Sequence, residues 1–232
     1  MRRFTLPTVV AFPVLLLQAC VVTSPAPDKQ TIDVPSRSAP GETVEGLVRV
    51  PSKQVDAVYV ARGATLAPYR RVMLDSVEIA FKADWQKRHP EVAADDITRF
   101  RSQGAAVFYE IFASALSMND GYPLTTQPGP DVLRVSASIT ELDVATTPGT
   151  GGTQRGYVVS PGDMTLIMDL RDSSSGATLA HAIDREKGRT FGNLQVADAV
   201  SNSTEARRAL EMWAGLLRSA LDAARNAPAP AP

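Results

Sequence analysis

The chain has 232 residues, 24 Lys and Arg against 25 Asp and Glu, and a net charge of −1. With 44% hydrophobic and 21% charged residues, the bulk is globular, and the length allows one ordinary domain with ragged ends. The charge balance argues against a nucleic-acid partner, which needs a basic face; one Cys excludes an intramolecular disulfide framework and a Cys-cluster metal site.

Residues 1–20 read MRRFTLPTVVAFPVLLLQAC. Arg2 and Arg3 precede an uncharged apolar stretch over 4–17. At about 14 residues it is shorter than the ~20 needed to span a bilayer. Leu17-Gln18-Ala19-Cys20 follows and resembles the bacterial lipobox. The resemblance implies a lipoprotein signal peptide over 1–19. Leu17 and Ala19 would be the peptidase recognition residues, and the Cys20 thiol would carry a diacylglycerol. Several acyl chains give stable membrane anchoring where one is marginal. Val21 stands where inner-membrane retention typically has Asp, so the outer membrane is expected, with the domain facing the periplasm.

Residues 20–52 hold the lipidated Cys and Pro25, Pro27, Pro35, Pro40 and Pro51, with few large apolar groups. Such a segment cannot bury enough surface to offset its ordering entropy, so a flexible tether is expected, with a reach of about 30 Å. The tail 226–232 is Pro- and Ala-rich and expected to be disordered. One folded domain is left, over 53–225.

Val55, Ala57 and Tyr59 alternate along a short strand. Residues 69–81 form a longer one. Val72 and Leu74 share one parity, while Val77, Ile79 and Phe81 share the other. A bulge near Asp75-Ser76 reconciles them; burial of both faces is the alternative. Asp84 to Pro90 is polar and turns the chain. Asp95 and Asp96 suit a helix N-cap, and a helix is expected over 96–118, packed through Phe100, Phe108, Ile111 and Ala115, with Gly104 weakening its middle. In a strand over 131–144, Leu133, Val135, Ala137 and Ile139 face inward, and the phase slips near Glu141. A Gly- and Thr-rich loop follows over 146–156. Met164, Leu166, Met168 and Leu170, then Leu179, His181 and Ile183, predict a hairpin of 163–171 with 177–185 around Asp172-Ser173-Ser174-Ser175-Gly176. Asn202 and Glu205 resemble a capping signature. Leu210, Trp213, Ala214, Leu217 and Leu221 form one apolar stripe of a helix ending near Ala224. The order β-β-α-β-β-β-α predicts an α+β domain: a mostly antiparallel sheet of about five strands with two helices on one face.

Chemistry is sparse. No serine elbow, phosphate-binding loop, H-E-x-x-H or C-x-x-C occurs. Gly149, Gly151, Gly152 and Gly156 miss the dinucleotide spacing, because Gln154 stands in the third glycine position. His181 reads as a half-buried structural histidine and His89 as a solvated loop residue. No catalytic residue, metal site or cofactor is expected. Asp75 with Glu78, and Glu141 with Asp143, are the only carboxylate pairs placed for acid–base work, and edge-strand charge accounts for them equally well. Arg185, Lys187 and Arg189 form a small basic stripe.

The runs Tyr69 to Ile79 (YRRVMLDSVEI), Pro130 to Thr140 (PDVLRVSASIT) and Met168 to Gly176 (MDLRDSSSG) resemble a family of bacterial lipoproteins known only as a domain of unknown function. The likeness spans about 55–220, and its motifs are strands and turns. The lipobox, the long tether and the absence of a catalytic constellation together lead to the first reading, a non-enzymatic envelope protein with an envelope protein as partner and the membrane reached through acyl chains on Cys20. A small-ligand or lipid-binding module is the alternative, and a cell-wall-acting enzyme the third reading.

Overall fold

A computed structural model of the chain describes residues 43–44, 46–147, 156–159, 164–186 and 199–227. Outside them lie residues 1–42, where the signal peptide, Leu17, Ala19, Cys20 and most of the tether are expected, and also Lys187, Arg189 and the last residues of the tail. So do Gly149, Gly151 and Gly152.

The domain is α+β, built on a mostly antiparallel sheet. Strands β1 (Thr43–Val44) and β2 (Leu47–Val50) turn through Gly46, at φ 82°. After them come β3 (Ala57–Val60), β4 (Arg71–Leu74) and β5 (Glu78–Phe81). Helices α1 (Trp85–Arg88) and α2 (Ala94–Ser117) lead to β6 (Val132–Leu142). A separate ribbon, β7 (Val144–Thr147) with β8 (Gly156–Val159), precedes the hairpin β9 (Met164–Asp172) and β10 (Thr178–Glu186). Helix α3 (Ala199–Asn226) closes the order. The main sheet runs β1-β2-β3-β10-β9-β6-β4, with β5 also on β6.

Eight strands, rather than about five, make up this sheet. Part of the excess is the stretch 43–50, expected in the tether: Val48, Arg49 and Val50 pair with Val60, Tyr59 and Val58. Alternating valines make this segment a strand despite the prolines on either side. The rest comes from the edge strand, which is broken in two. Leu74 pairs with Val135 and Glu78 with Ser138, so four steps on the edge oppose three on β6. That one-residue excess is a bulge at 75–77, and it returns Val77 to burial alongside Val72. Both edge pieces run parallel to β6, because a connection containing a 24-residue helix carries the chain back to the end it started from.

A second slip lies at Glu141. Ile79 pairs with Ile139 but Phe81 with Leu142, so β6 carries the extra residue here. Glu141 takes φ 57°, and Leu142 turns back into the core. A left-handed conformation costs a non-glycine residue about 1–2 kcal/mol. Glu141→Gly is therefore expected to raise stability by about 0.5–1 kcal/mol after the unfolded-state entropy of glycine is counted. A higher urea midpoint at unchanged slope would show it.

The core takes Leu133, Val135, Ala137 and Ile139 from β6, Met164, Leu166, Met168 and Leu170 from β9, Phe108, Ile111, Phe112 and Leu116 from α2, and Leu210, Trp213, Ala214, Leu217 and Leu221 from α3. Phe100 and Ala115 are only partly buried; Phe112 and Leu116 carry more of the α2 contact. Ala93 is the N-cap of α2, and Asp95 and Asp96 sit in its first turn, where they favour the helix dipole instead of capping. Likewise Asn202 falls inside α3 and not at its start. The span expected to be a bare turn contains α1, whose Trp85 is 1% exposed and stacks on Phe81 at 4.4 Å.

Candidate functional site

The three sequence motifs meet at one end of the sheet. The Tyr69 hydroxyl donates to Asp172 Oδ2 at 3.0 Å. Burial, then the Asp172 contact, pushes the Tyr69 phenol up to about 12. Arg71 grips Asp131 with two bonds, at 3.0 and 2.6 Å. In the bulge, Asp75 accepts from Arg134 Nε at 2.8 Å and from Ser136 Oγ at 2.6 Å. Asp172 also ties its own turn, accepting from the backbone N–H groups of Ser174 and Ser175 while Gly176 takes φ 74°. Asp75, Asp131 and Asp172 thus each meet a donor from their own turn or another motif. The network locks strand register.

Three of the other sequence candidates, Asp143, His89 and His181, are partnered as well. Asp143 receives Lys82 at 3.4 Å and Arg88 at 3.1 Å. Glu78 and Glu141 are exposed. His89 lies 3.3 Å from Glu91. His181 is half-buried, and it sits on the sheet face opposite the core, because Ala180, Ala182 and Asp184 pair with the core-facing Leu170, Met168 and Leu166. A one-residue slip at Leu179 sets this phase. His181 Nδ1 donates to Asp169 Oδ1 at 2.7 Å, and Arg171 donates to Asp169 Oδ2 at 3.1 Å. Burial opposes the charged form of Asp169, but these two donors outweigh it and hold its carboxyl below the ordinary value. Among the described residues there is no group of three His, Cys, Asp or Glu able to hold a metal ion.

On the core side, an apolar cavity of about 170 Å³ opens between β3, β9, β10 and α3. Val58, Leu166, Met168 and Leu170 form its sheet wall, and Leu216, Leu217 and Ala220 its helix wall. Ala180 and Ala182 stand on β10 where larger side chains would fill the space. Ser52, Gln54 and Val55 form a lip, tightened where Ser52 Oγ accepts from the N–H groups of Gln54 and Val55 at 3.2 Å. In a close-packed interior a sealed void of this size would cost about 4 kcal/mol, at ~24 cal/mol per Å³. A second apolar pocket, of about 270 Å³, lies between Ile79, Phe100, Gly104, Leu142, Met164 and Leu210.

One charged side chain lines the first cavity. Asp184 is only 7% exposed. It accepts from Trp213 Nε1 at 2.7 Å and from the Asp56 N–H at 3.1 Å. Asp56 in turn accepts from the Arg185 N–H at 3.1 Å, so loop and strand are latched reciprocally. Burial pushes the Asp184 carboxyl above its ordinary value; the two donors offset this in part, and the nearby Asp56 carboxylate adds to it. Neither Asp184 nor Asp56 forms an ion pair among the described residues. Periodicity could not find this site, since an Asp in a strand end reads as solvated. The one available signal was its even spacing from Ala180 and Ala182.

No curated protein matches the chain. Solved structures resemble it, among them the following three. A PelC dodecamer from Paraburkholderia phytofirmans is 14% identical, with 67% of this chain and 96% of that one covered, at a TM-score of 0.32. A neuraminyllactose-binding hemagglutinin homolog from Helicobacter pylori is 10% identical, with 73% and 89% covered, at 0.37. A Xanthomonas campestris protein of the DUF330 family is 7% identical, with 66% and 85% covered, at 0.32. The family described as "Protein of unknown function (DUF3313)" matches residues 43–217, from β1 through most of α3, and the chain belongs to that family.

Proposed function

We propose that the protein is a lipoprotein of the bacterial cell envelope, acylated on Cys20 and held in the outer membrane. Its domain faces the periplasm and binds another envelope protein as a non-enzymatic accessory factor. The lipobox Leu17-Gln18-Ala19-Cys20 is the observation that carries this reading. Two features of the chain support it. The family match begins at residue 43, with 22 residues between it and Cys20, and a flexible segment of that length would reach about 25 Å from the lipid surface. Of the two carboxylate pairs considered for acid–base work, Asp75 and Asp143 are engaged by arginine and lysine side chains, while Glu78 and Glu141 are exposed.

Feeding cells an alkyne-tagged fatty acid tests the anchor: the tag is expected on the wild-type chain and absent from Cys20→Ala. A mild-detergent pull-down from the native envelope tests the partner. A stoichiometric protein recovered with wild type and lost with Cys20→Ala is the expected result. Recovery of nothing from either would remove the assembly reading. The apolar cavity with its single carboxyl favours a second reading, a small-ligand-binding module.

A further inference from the structure

We infer that the cavity between β10 and α3 binds a small primary ammonium ion carrying an alkyl or aryl group of about six carbons. This rests on the ligand-binding reading and adds the chemical class. Size excludes a helix or strand as occupant: about 170 Å³ compares with the ~150 Å³ apolar cavities that hold one benzene-sized molecule. The walls are aliphatic, with Met168, Leu170 and Leu217 against Ala180 and Ala182, so the body of the ligand is apolar. The head is set by Asp184. A carboxylate offers about four acceptor positions, and Trp213 and Asp56 occupy two. The Asp56 carboxylate nearby deepens the negative potential, and no cation pairs with either carboxyl among the described residues. Neighbouring guanidiniums are spent elsewhere: Arg185 donates to Thr165 on the opposite face, and Arg49 to the Asp56 carbonyl. An ammonium group supplies both the donors and the charge that the Asp184 carboxylate lacks.

Isothermal titration and saturation-transfer NMR on the full chain carrying Cys20→Ser, which needs no detergent, test this with hexylammonium, hexanol and hexanoate. Hexylammonium is expected to bind about tenfold or more tightly than hexanol, because a charge-assisted bond exceeds a neutral one. Hexanoate is expected not to bind. Asp184→Asn should erase the preference while hexanol binding persists. Ala220→Leu, at the exposed helix rim of the cavity, should weaken both ligands without unfolding the chain. Equal affinity for all three probes, or a preference for hexanoate, would overturn the ammonium assignment and leave the ligand-binding reading standing. Binding of none would remove both. The comparison of three probes on the unaltered cavity decides even if Asp184→Asn fails to fold.

Discussion

Gly121→Ala is expected to destabilise the domain by about 3 kcal/mol, with a fall in Tm of about 6–12 °C for a chain of this size. A methyl group there would lie 2.9 Å from the Met118 carbonyl, and nearer still to Leu116 O and Arg218 Nη1. The space is taken by two carbonyls at the end of α2 and by one side chain. From α3, Arg218 donates to the carbonyls of Leu116 at 3.2 Å, Met118 at 2.7 Å and Asn119 at 3.3 Å, and so satisfies the open end of α2. The chain leaves that end through Asn119 and Asp120, both left-handed at φ 51° and 54°. Asp222 holds the guanidinium at 2.8 Å and accepts from Tyr122 at 3.1 Å, and Arg225 lies over the Tyr122 ring at 4.9 Å. Arg218→Ala should cost a similar amount, since it removes the donor shared by the Leu116, Met118 and Asn119 carbonyls and one of the three partners of Asp222, which keeps Tyr122 and Arg225. The two changes break one network, so the double variant is expected to cost clearly less than their sum. Strict additivity in urea titrations would show that Gly121 and Arg218 act separately.

Asp184→Ala is expected to cost about 3 kcal/mol in acid and progressively less as the pH rises. Removing the carboxyl leaves the buried Trp213 indole N–H and the Asp56 N–H without acceptors, at about 1–3 kcal/mol each. The sign of the pH effect comes from the raised carboxyl. A group whose folded pKa lies above its unfolded 3.8 contributes fully below that value and loses its contribution as the pH climbs through the raised one. Asp169 and Asp222 are held below the ordinary 3.8 despite burial, by donors from His181 and Arg171, and from Arg218 and Tyr122. Their contributions run the other way, complete above 3.8 and lost as the pH falls through their lowered values. Measured from pH 3 to 8, the stability difference between wild type and Asp184→Ala should therefore shrink with pH. A constant or growing difference would sink the assignment of Asp184 as a carboxyl strained by burial.

Local pattern was enough for much of this molecule. Alternation over Leu133 to Ile139 and over Met164 to Leu170 located the central strands, and both sets are buried. Helical spacing located α2 and the Leu210 to Leu221 stripe of α3. Phase slips in the same alternation located the two bulges, because a side-chain period of two cannot skip a residue without exchanging faces. The three runs that carried the resemblance to the family were legible as runs. That they bond to one another was not: Tyr69 with Asp172 and Arg71 with Asp131 join residues 103 and 60 positions apart.

What depends on such distant pairing had to come from the tertiary structure. The prolines around 43–50 read as tether, yet the presence of β3 as a neighbour makes that stretch a strand. His181 faces away from the core and Asp184 toward it through a single-residue slip at Leu179, which only the partner strand reveals. The cavity belongs to no element: β3, β9, β10 and α3 bound it together, and its carboxyl is buried only because Trp213, 29 residues on, packs over it. By itself, the order of residues determined the periodicities and the family, since both are read along the chain without its neighbours in space. The site was decided by packing, because burial and hydrogen-bond supply are properties of neighbours that the chain brings from far along its length.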